Sequence, residues 1–220
     1  MAVAVERAES LAEKAYFAIR DLIVSLELQP GSVLNERALI ERLGIGRTPV
    51  REALRRLAQE QLVDVFPRRG MFVSTVVIRD LASLCEVRDV LEGHAARLAA
   101  ERATEAEREE LSALIAELDR SEALDQRALM ALDERIHRTV FRCAHNAFLA
   151  ATLEGYYVLA LRIWHLALDQ ARELEAAVHS HRALLVAIRD GKGAGAEEIM
   201  RRHVDDFEAA MHQVLLGVGA

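Results

Sequence analysis

Apolar positions recur at helical spacing along most of this chain, and one short stretch near residue 65 departs from that period. Between Lys14 and Leu26 the apolar residues Tyr16, Ile19, Ile23 and Leu26 lie three or four apart, so they share one face of a predicted helix. Gln29-Pro30-Gly31 ends it, since proline cannot continue a helix and glycine relaxes the turn. Asn35 is a good N-cap for a short second helix over Glu36 to Leu43, which Gly44 terminates. A third helix is predicted to start near Thr48-Pro49, a capping threonine followed by proline at the first helical position, with Gly46 as the alternative cap. Within it Val50, Leu54 and Leu57 face a core and leave Thr48, Arg51, Glu52 and Arg55 on the other side. The period then changes. Leu62 to Phe66 and Met71 to Val73 read as two strands joined by the basic turn Pro67-Arg68-Arg69-Gly70. Closely spaced helices followed by a hairpin predict a winged helix-turn-helix over residues 1–75.

Ser74 to Ile78 connect this head to a second half, residues 76–220, in which the helical rhythm returns and no strand-like alternation of useful length occurs. The predicted segments are Arg79 to Arg102, Glu105 to Leu118, Ala128 to Ala144, Ala147 to Leu168, Arg172 to Arg189 and Ala196 to Leu216. Thr104 with Glu107 forms a capping box, and Gly191, Gly193 and Gly195 are expected to break the last two segments apart. The fold class is therefore mostly α: a winged helix-turn-helix followed by an all-α antiparallel helical bundle.

Composition adds exclusions. No stretch approaches the roughly 18 uninterrupted apolar residues of a membrane span. MAVAVERAES lacks the basic and apolar regions of an export signal, and Cys85 and Cys143 sit inside helical patterns as free buried thiols, so a cytoplasmic setting is expected. A net charge of −7 argues against nucleic acid until its distribution is examined. Residues 1–75 carry 11 basic and 10 acidic side chains, whereas residues 76–220 carry 17 and 25. Gly46 to Gly70 holds six arginines, at 47, 51, 55, 56, 68 and 69, against Glu52, Glu60 and Asp64. The positive charge is local, as a groove-binding surface requires.

The segment PGSVLNERALIERLGIGRTPVREALRRLAQEQLVDVFPRRGMFV, about 45 residues long, resembles the DNA-binding domain of the GntR family. The resemblance implies DNA contacts from Arg37 on the second helix, Arg47, Thr48 and Arg51 at the start of the third, and Arg69 with Gly70 in the wing. An arginine can donate twice to guanine O6 and N7, and glycine lets a backbone approach the minor groove. Gly46 departs from the family, which often has serine or threonine there, and removes a phosphate-contacting hydroxyl.

A second constellation follows from helix faces alone. Asp133 and His137 are i and i+4 on a side shared with Leu129, Met130, Ile136 and Val140. His181 falls among Val178, Leu184, Leu185 and Ile188, and His203 among Ile199, Met200, Phe207 and Ala210. Three helices thus aim polar ligands into the core, where a carboxylate costs several kcal/mol unless it is paired or bound to a cation. One aspartate and three imidazoles suit a divalent metal ion, zinc first, with nickel or manganese as alternatives. His179 falls on the opposite face; His145 and His212 sit near helix ends, and His94 and His165 are further pocket candidates. The motif Asp133-Glu134-Arg135-Ile136-His137, with HSHRALLVAI and MRRHVDDF, resembles metal-binding members of the FadR branch of the GntR family, whose effector domain is called FCD.

That resemblance implies an effector site at the metal, where a small carboxylate completes an open shell. Arg88 lies on the stripe of Leu81, Leu84 and Leu91, in EVRDVLEGHAARLAA, and is assigned as its partner, the alternatives being a core salt bridge or snorkelling. Asn146 and Arg162 are further effector candidates, Asn146 alternatively as a helix cap. The expected protein is a homodimeric, ligand-responsive repressor on palindromic double-stranded operator DNA, with no membrane partner. Two alternatives are a metal-dependent hydrolase with a DNA-tethering head and a regulator whose metal is purely structural. No nucleophile motif or placed general base supports the hydrolase.

Overall fold

The computed structural model describes residues 10–75, 80–121, 124–166 and 171–216. The chain divides between residues 76 and 77 into two compact units. In the first, α1 (Leu11–Val24), α2 (Glu36–Leu43) and α3 (Arg47–Gln59) precede a hairpin of β1 (Val63–Phe66) and β2 (Gly70–Val73). Helix α1 starts earlier than the apolar rhythm suggests because Ser10 and Glu13 close a capping box around its first turn. Gly44 ends α2 at φ +64, a left-handed position that costs glycine little. The cap of α3 is Gly46, not Thr48: its extended backbone places Arg47 at the first helical position, and Thr48 and Pro49 fall within the first turn. Ile19, Ile23, Val50, Leu54, Leu57, Leu62 and Val73 are buried and form the core of this unit.

The hairpin is antiparallel, pairing Val63 with Val73 and Phe66 with Gly70. Residues 31–34 extend it along the other edge of β2 through Gly31 N to Val73 O (2.9 Å), Val73 N to Ser32 O (2.9 Å) and Leu34 N to Met71 O (2.8 Å). Those bonds fix the wing to the segment between α1 and α2.

The second unit is built from α4 (Leu81–Arg102), α5 (Glu105–Leu118), α6 (Gln126–Cys143), α7 (Ala147–Leu166), α8 (Ala171–Arg189) and α9 (Gly193–Leu216). Helix α4 packs most extensively on α9 and also meets α6, α7 and α8, so it runs through the centre of the bundle. The anticipated start of the first bundle helix at Arg79 and end of the fourth at Leu168 lie outside the described residues. Gly191, at φ +72, parts α8 from α9 as expected, whereas Gly193 and Gly195 fall in the first turn of α9. A Cβ at Gly193 would stand 3.2 Å from Glu101 Oε1 and 3.3 Å from Arg97 Cγ, so glycine there permits close approach to α4. Cys85 and Cys143 are free and buried. Among the described residues no helix is long and apolar enough to cross a membrane.

Candidate functional site

In the first unit Arg47, Thr48, Arg51, Arg69 and Gly70 are all exposed. Arg37 is also exposed and pairs with Glu41 one turn along α2 at 2.9 Å. Arg51 Nε, at the start of α3, reaches across to Glu36 Oε2 on α2 at 2.9 Å. Such pairs in water contribute little to stability, about 0 to 1 kcal/mol, and exchange readily for another anion. In the wing turn, closed by Arg69 N to Phe66 O at 3.1 Å, Arg68 has φ +65 and Gly70 φ +102, which turns the chain tightly and puts Arg69 between the tip and β2. The sequence reading did not register that Glu36 and Glu41 partner two of the candidate arginines.

In the second unit His137, His181 and His203 are buried and converge, each offering a ring nitrogen so that the three atoms lie within 4.8 Å of one another. They come from α6, α8 and α9. His137 Nε2 and His181 Nε2 are 3.1 Å apart. Partners on the far side of two of the rings assign their tautomers. His181 Nδ1 donates to the Val178 carbonyl at 3.2 Å. His137 Nδ1 lies 3.1 Å from Glu92 Oε2, within ion-pair range though off the axis of a hydrogen bond. Ser180 donates its hydroxyl to the Ala177 carbonyl at 2.6 Å and accepts from His203 Nδ1 at 3.1 Å. His181 and His203 therefore carry the proton on Nδ1 and present a bare Nε2 lone pair to the same small volume, which His137 Nε2 also faces. Bare lone pairs facing one another in a buried site repel, and a cation between them removes the conflict. Burial holds His181 down to about 4 against the opposing charge of Asp133, and burial with the neighbouring imidazoles holds His203 well below the ordinary value, so both are neutral, the form that binds metal.

Asp133 lies beside this trio rather than within it. Its Oδ2 accepts from the Tyr157 hydroxyl at 2.7 Å and stands 3.9 Å from His137 Nε2, while Oδ1 is 3.7 Å from His181 Nδ1. Burial and the Asp133 charge raise Tyr157 well above the usual phenol value, so it remains a donor. Two donors about 2.1 Å from one ion stand roughly 3 to 4 Å apart, and the 3.1 and 3.9 Å separations fall in that range. The donor set thus fits a divalent cation.

Arg88, assigned from the sequence to an effector, meets a core acid. Its Nε donates to Glu92 Oε1 at 2.6 Å, and both residues are buried on α4. Nη1 of Arg88 is buried with no hydrogen-bond partner among the described residues. Burial would raise the Glu92 carboxyl, yet Arg88 and His137 pull it down to about 2. Arg162 is buried on α7. Asn146 caps α7, its Oδ1 accepting from Leu149 N at 3.2 Å, and it lines a surface cavity of about 530 Å³ with Arg138, Phe141, Arg142, His145 and Glu154. A second cavity of about 260 Å³ reaches His203 between Trp164, Ser180, Asp206 and Phe207. Of the remaining histidines, His94 is exposed, His165 and His179 are half-buried, and His145 bonds Glu107 at 2.9 Å.

A small basic head bearing a helix-turn-helix and a helical bundle enclosing a polar centre define the class: a two-unit DNA-binding regulator. Comparison with known proteins agrees. The pattern of bacterial regulatory proteins of the gntR family matches residues 11–73, and the FCD domain matches residues 83–206. An uncharacterized HTH-type transcriptional regulator in an unstable DNA locus of Streptomyces ambofaciens is 33% identical over 88% of this chain and 83% of its own length. The HTH-type transcriptional repressor RspR of Escherichia coli is 24% identical over 92% of this chain and 89% of its own. The solved structure of E. coli McbR/YncC superposes with a TM-score of 0.82 at 25% identity, covering 93% of this chain and 98% of that one. The chain belongs to the GntR family of transcriptional regulators, with an FCD domain as its C-terminal part. Its relatives are regulators and not enzymes, which sets the hydrolase alternative aside.

Proposed function

We propose that this regulator is a cytoplasmic homodimeric repressor that senses a small carboxylate at a divalent metal centre, zinc before nickel or manganese. Residues 1–75 are assigned to DNA and residues 76–220 to effector binding and dimerisation. The observation that carries the reading is the convergence of three buried imidazoles on one point, with Val178 and Ser180 bonding the far sides of His181 and His203 and Glu92 standing 3.1 Å behind His137. His137, His181 and His203 would hold the ion, with Asp133 as fourth donor. When bound, the ion supplies positive charge and coordination positions open to an anion. Arg88 Nη1 offers two further donors for a carboxylate, Arg162 adds buried positive charge, and the cavity beside His203 supplies a route inward. Asn146 is the least supported effector residue, because its side-chain oxygen already caps α7.

On DNA, Arg47, Thr48 and Arg51 enter the major groove, Arg37 takes phosphate or base edge, and Arg69 with Gly70 approaches the minor groove. Two heads then read the half-sites of a palindrome. Effector binding changes their spacing and lowers operator affinity; coupling of about 1 to 3 kcal/mol suffices. The test is metal analysis of purified protein combined with a thermal-shift screen of small carboxylates with and without chelator. Carboxylate stabilisation that needs the metal supports the sensor, and equal stabilisation after chelation overturns it.

A further inference from the structure

Glu92 is fully buried on α4, and its two carboxylate oxygens have different partners. Oε1 accepts from Arg88 Nε at 2.6 Å, while Oε2 lies 3.1 Å from His137 Nδ1, and these two buried atoms have no other hydrogen-bond partner among the described residues. An ion pair serving stability alone would need only the first contact. The second is costly to build, because a carboxylate oxygen in the core must find a proton donor or remain unsatisfied.

We infer that Glu92 is a positioning residue for the metal centre: its carboxylate keeps the proton of His137 on Nδ1 and so directs the Nε2 lone pair at the point where His181 and His203 converge. This rests on the reading of the three histidines as metal donors. Arg88 supplies a counter-charge beside Glu92 in the core, and its hydrogen bond orients Oε1, which leaves Oε2 for the imidazole. The result is a chain, Arg88 to Glu92 to His137, from a guanidinium with an open Nη1 to a metal donor. A carboxylate behind a ligating imidazole raises its basicity and typically accounts for 10- to 100-fold in metal affinity.

The substitution Glu92→Gln separates positioning from packing. The amide is nearly isosteric, and with its oxygen held by Arg88 its NH₂ group faces Nδ1. That donor favours the tautomer with the proton on Nε2, which cannot ligate. Because the change also leaves Arg88 without its counter-charge, the double variant Arg88→Met/Glu92→Leu removes both charges together and remains informative if the single variant does not fold. In full-length protein at fixed pH, zinc affinity is measured by chelator competition and the cobalt(II) complex by visible absorption. The expected result is at least tenfold weaker zinc binding and an altered cobalt spectrum, with helical circular dichroism unchanged. Zinc affinity within twofold of the parent and an identical cobalt spectrum in a folded variant overturn the role of Glu92 while leaving the three histidines as donors. A parent protein that binds neither zinc nor cobalt overturns the metal site itself, and this inference with it.

Discussion

The buried imidazoles are useful only while they are neutral, and this sets their response to acid. In the folded metal-free protein His181 titrates at about 4, below the ordinary value of 6.5, so the unfolded chain binds more protons between those limits. Stability is therefore fully present above about pH 6.5 and declines as pH falls toward 4. From this residue alone urea denaturation of metal-free protein should lose about 2 kcal/mol between pH 6.5 and 5, and a flat profile would show that the ring is not held neutral. His181→Ala should abolish metal stoichiometry. Arg51→Ala should weaken operator binding by about 10- to 100-fold and leave metal content unchanged, read by fluorescence anisotropy and metal analysis. The sequence made the three histidines legible because each shares a 100° face with core residues. Glu92 escaped notice: it lies on a helix buried on several sides, so no polar face marked it as unusual, and its partner His137 lies on another helix.

At the scale of elements the helices were largely legible and their ends were not. A helix interior is set by local period, whereas a terminus depends on which residue supplies the extended cap. Thr48-Pro49 carried the usual start signal, yet Gly46 takes the cap because the short connection from α2 already places Arg47 in helical geometry. Gly193 and Gly195 looked like breakers, but first-turn N–H groups need no intrahelical acceptor, and closeness to α4 favours glycine. The capping box of α5 was legible in full, and its Glu107 does more than cap. It also accepts from His145 at 2.9 Å and Arg142 at 3.1 Å, joining the start of α5 to the end of α6. Burial would raise the Glu107 carboxyl, but the Thr104 backbone, His145 and the Thr104 hydroxyl bring it down to about 2 from 4.5. Its contribution is present above about pH 4.5 and is lost as pH falls toward 2. Thr104→Ala should cost about 1 kcal/mol in denaturant unfolding. Glu107→Gln should flatten the loss of stability between pH 5 and 3.

For the whole molecule, an ion held by His137, His181 and His203 would tie α6 to α8 and α9 and so link metal binding to folding. An ion bound only by the folded state stabilises it by about 3 to 4 kcal/mol at 100 to 1,000 times its dissociation constant. Chelation should therefore lower the unfolding midpoint by roughly 5 to 15 °C, and restoring zinc should recover it. An unchanged midpoint by calorimetry would mean that the histidines hold no ion.

The bond from Glu36 to Arg51 has its own consequence at this scale. Because a carboxylate already neutralises that guanidinium, seating Arg51 on DNA as proposed would leave Glu36 to attract cations of its own, partly offsetting those shed by the duplex. The dependence of log K on log salt should be shallower than the number of arginine contacts implies, and Glu36→Gln should steepen it by a fraction of a unit, up to about one. The glutamate would in this way make operator recognition less sensitive to the ionic strength of the surroundings.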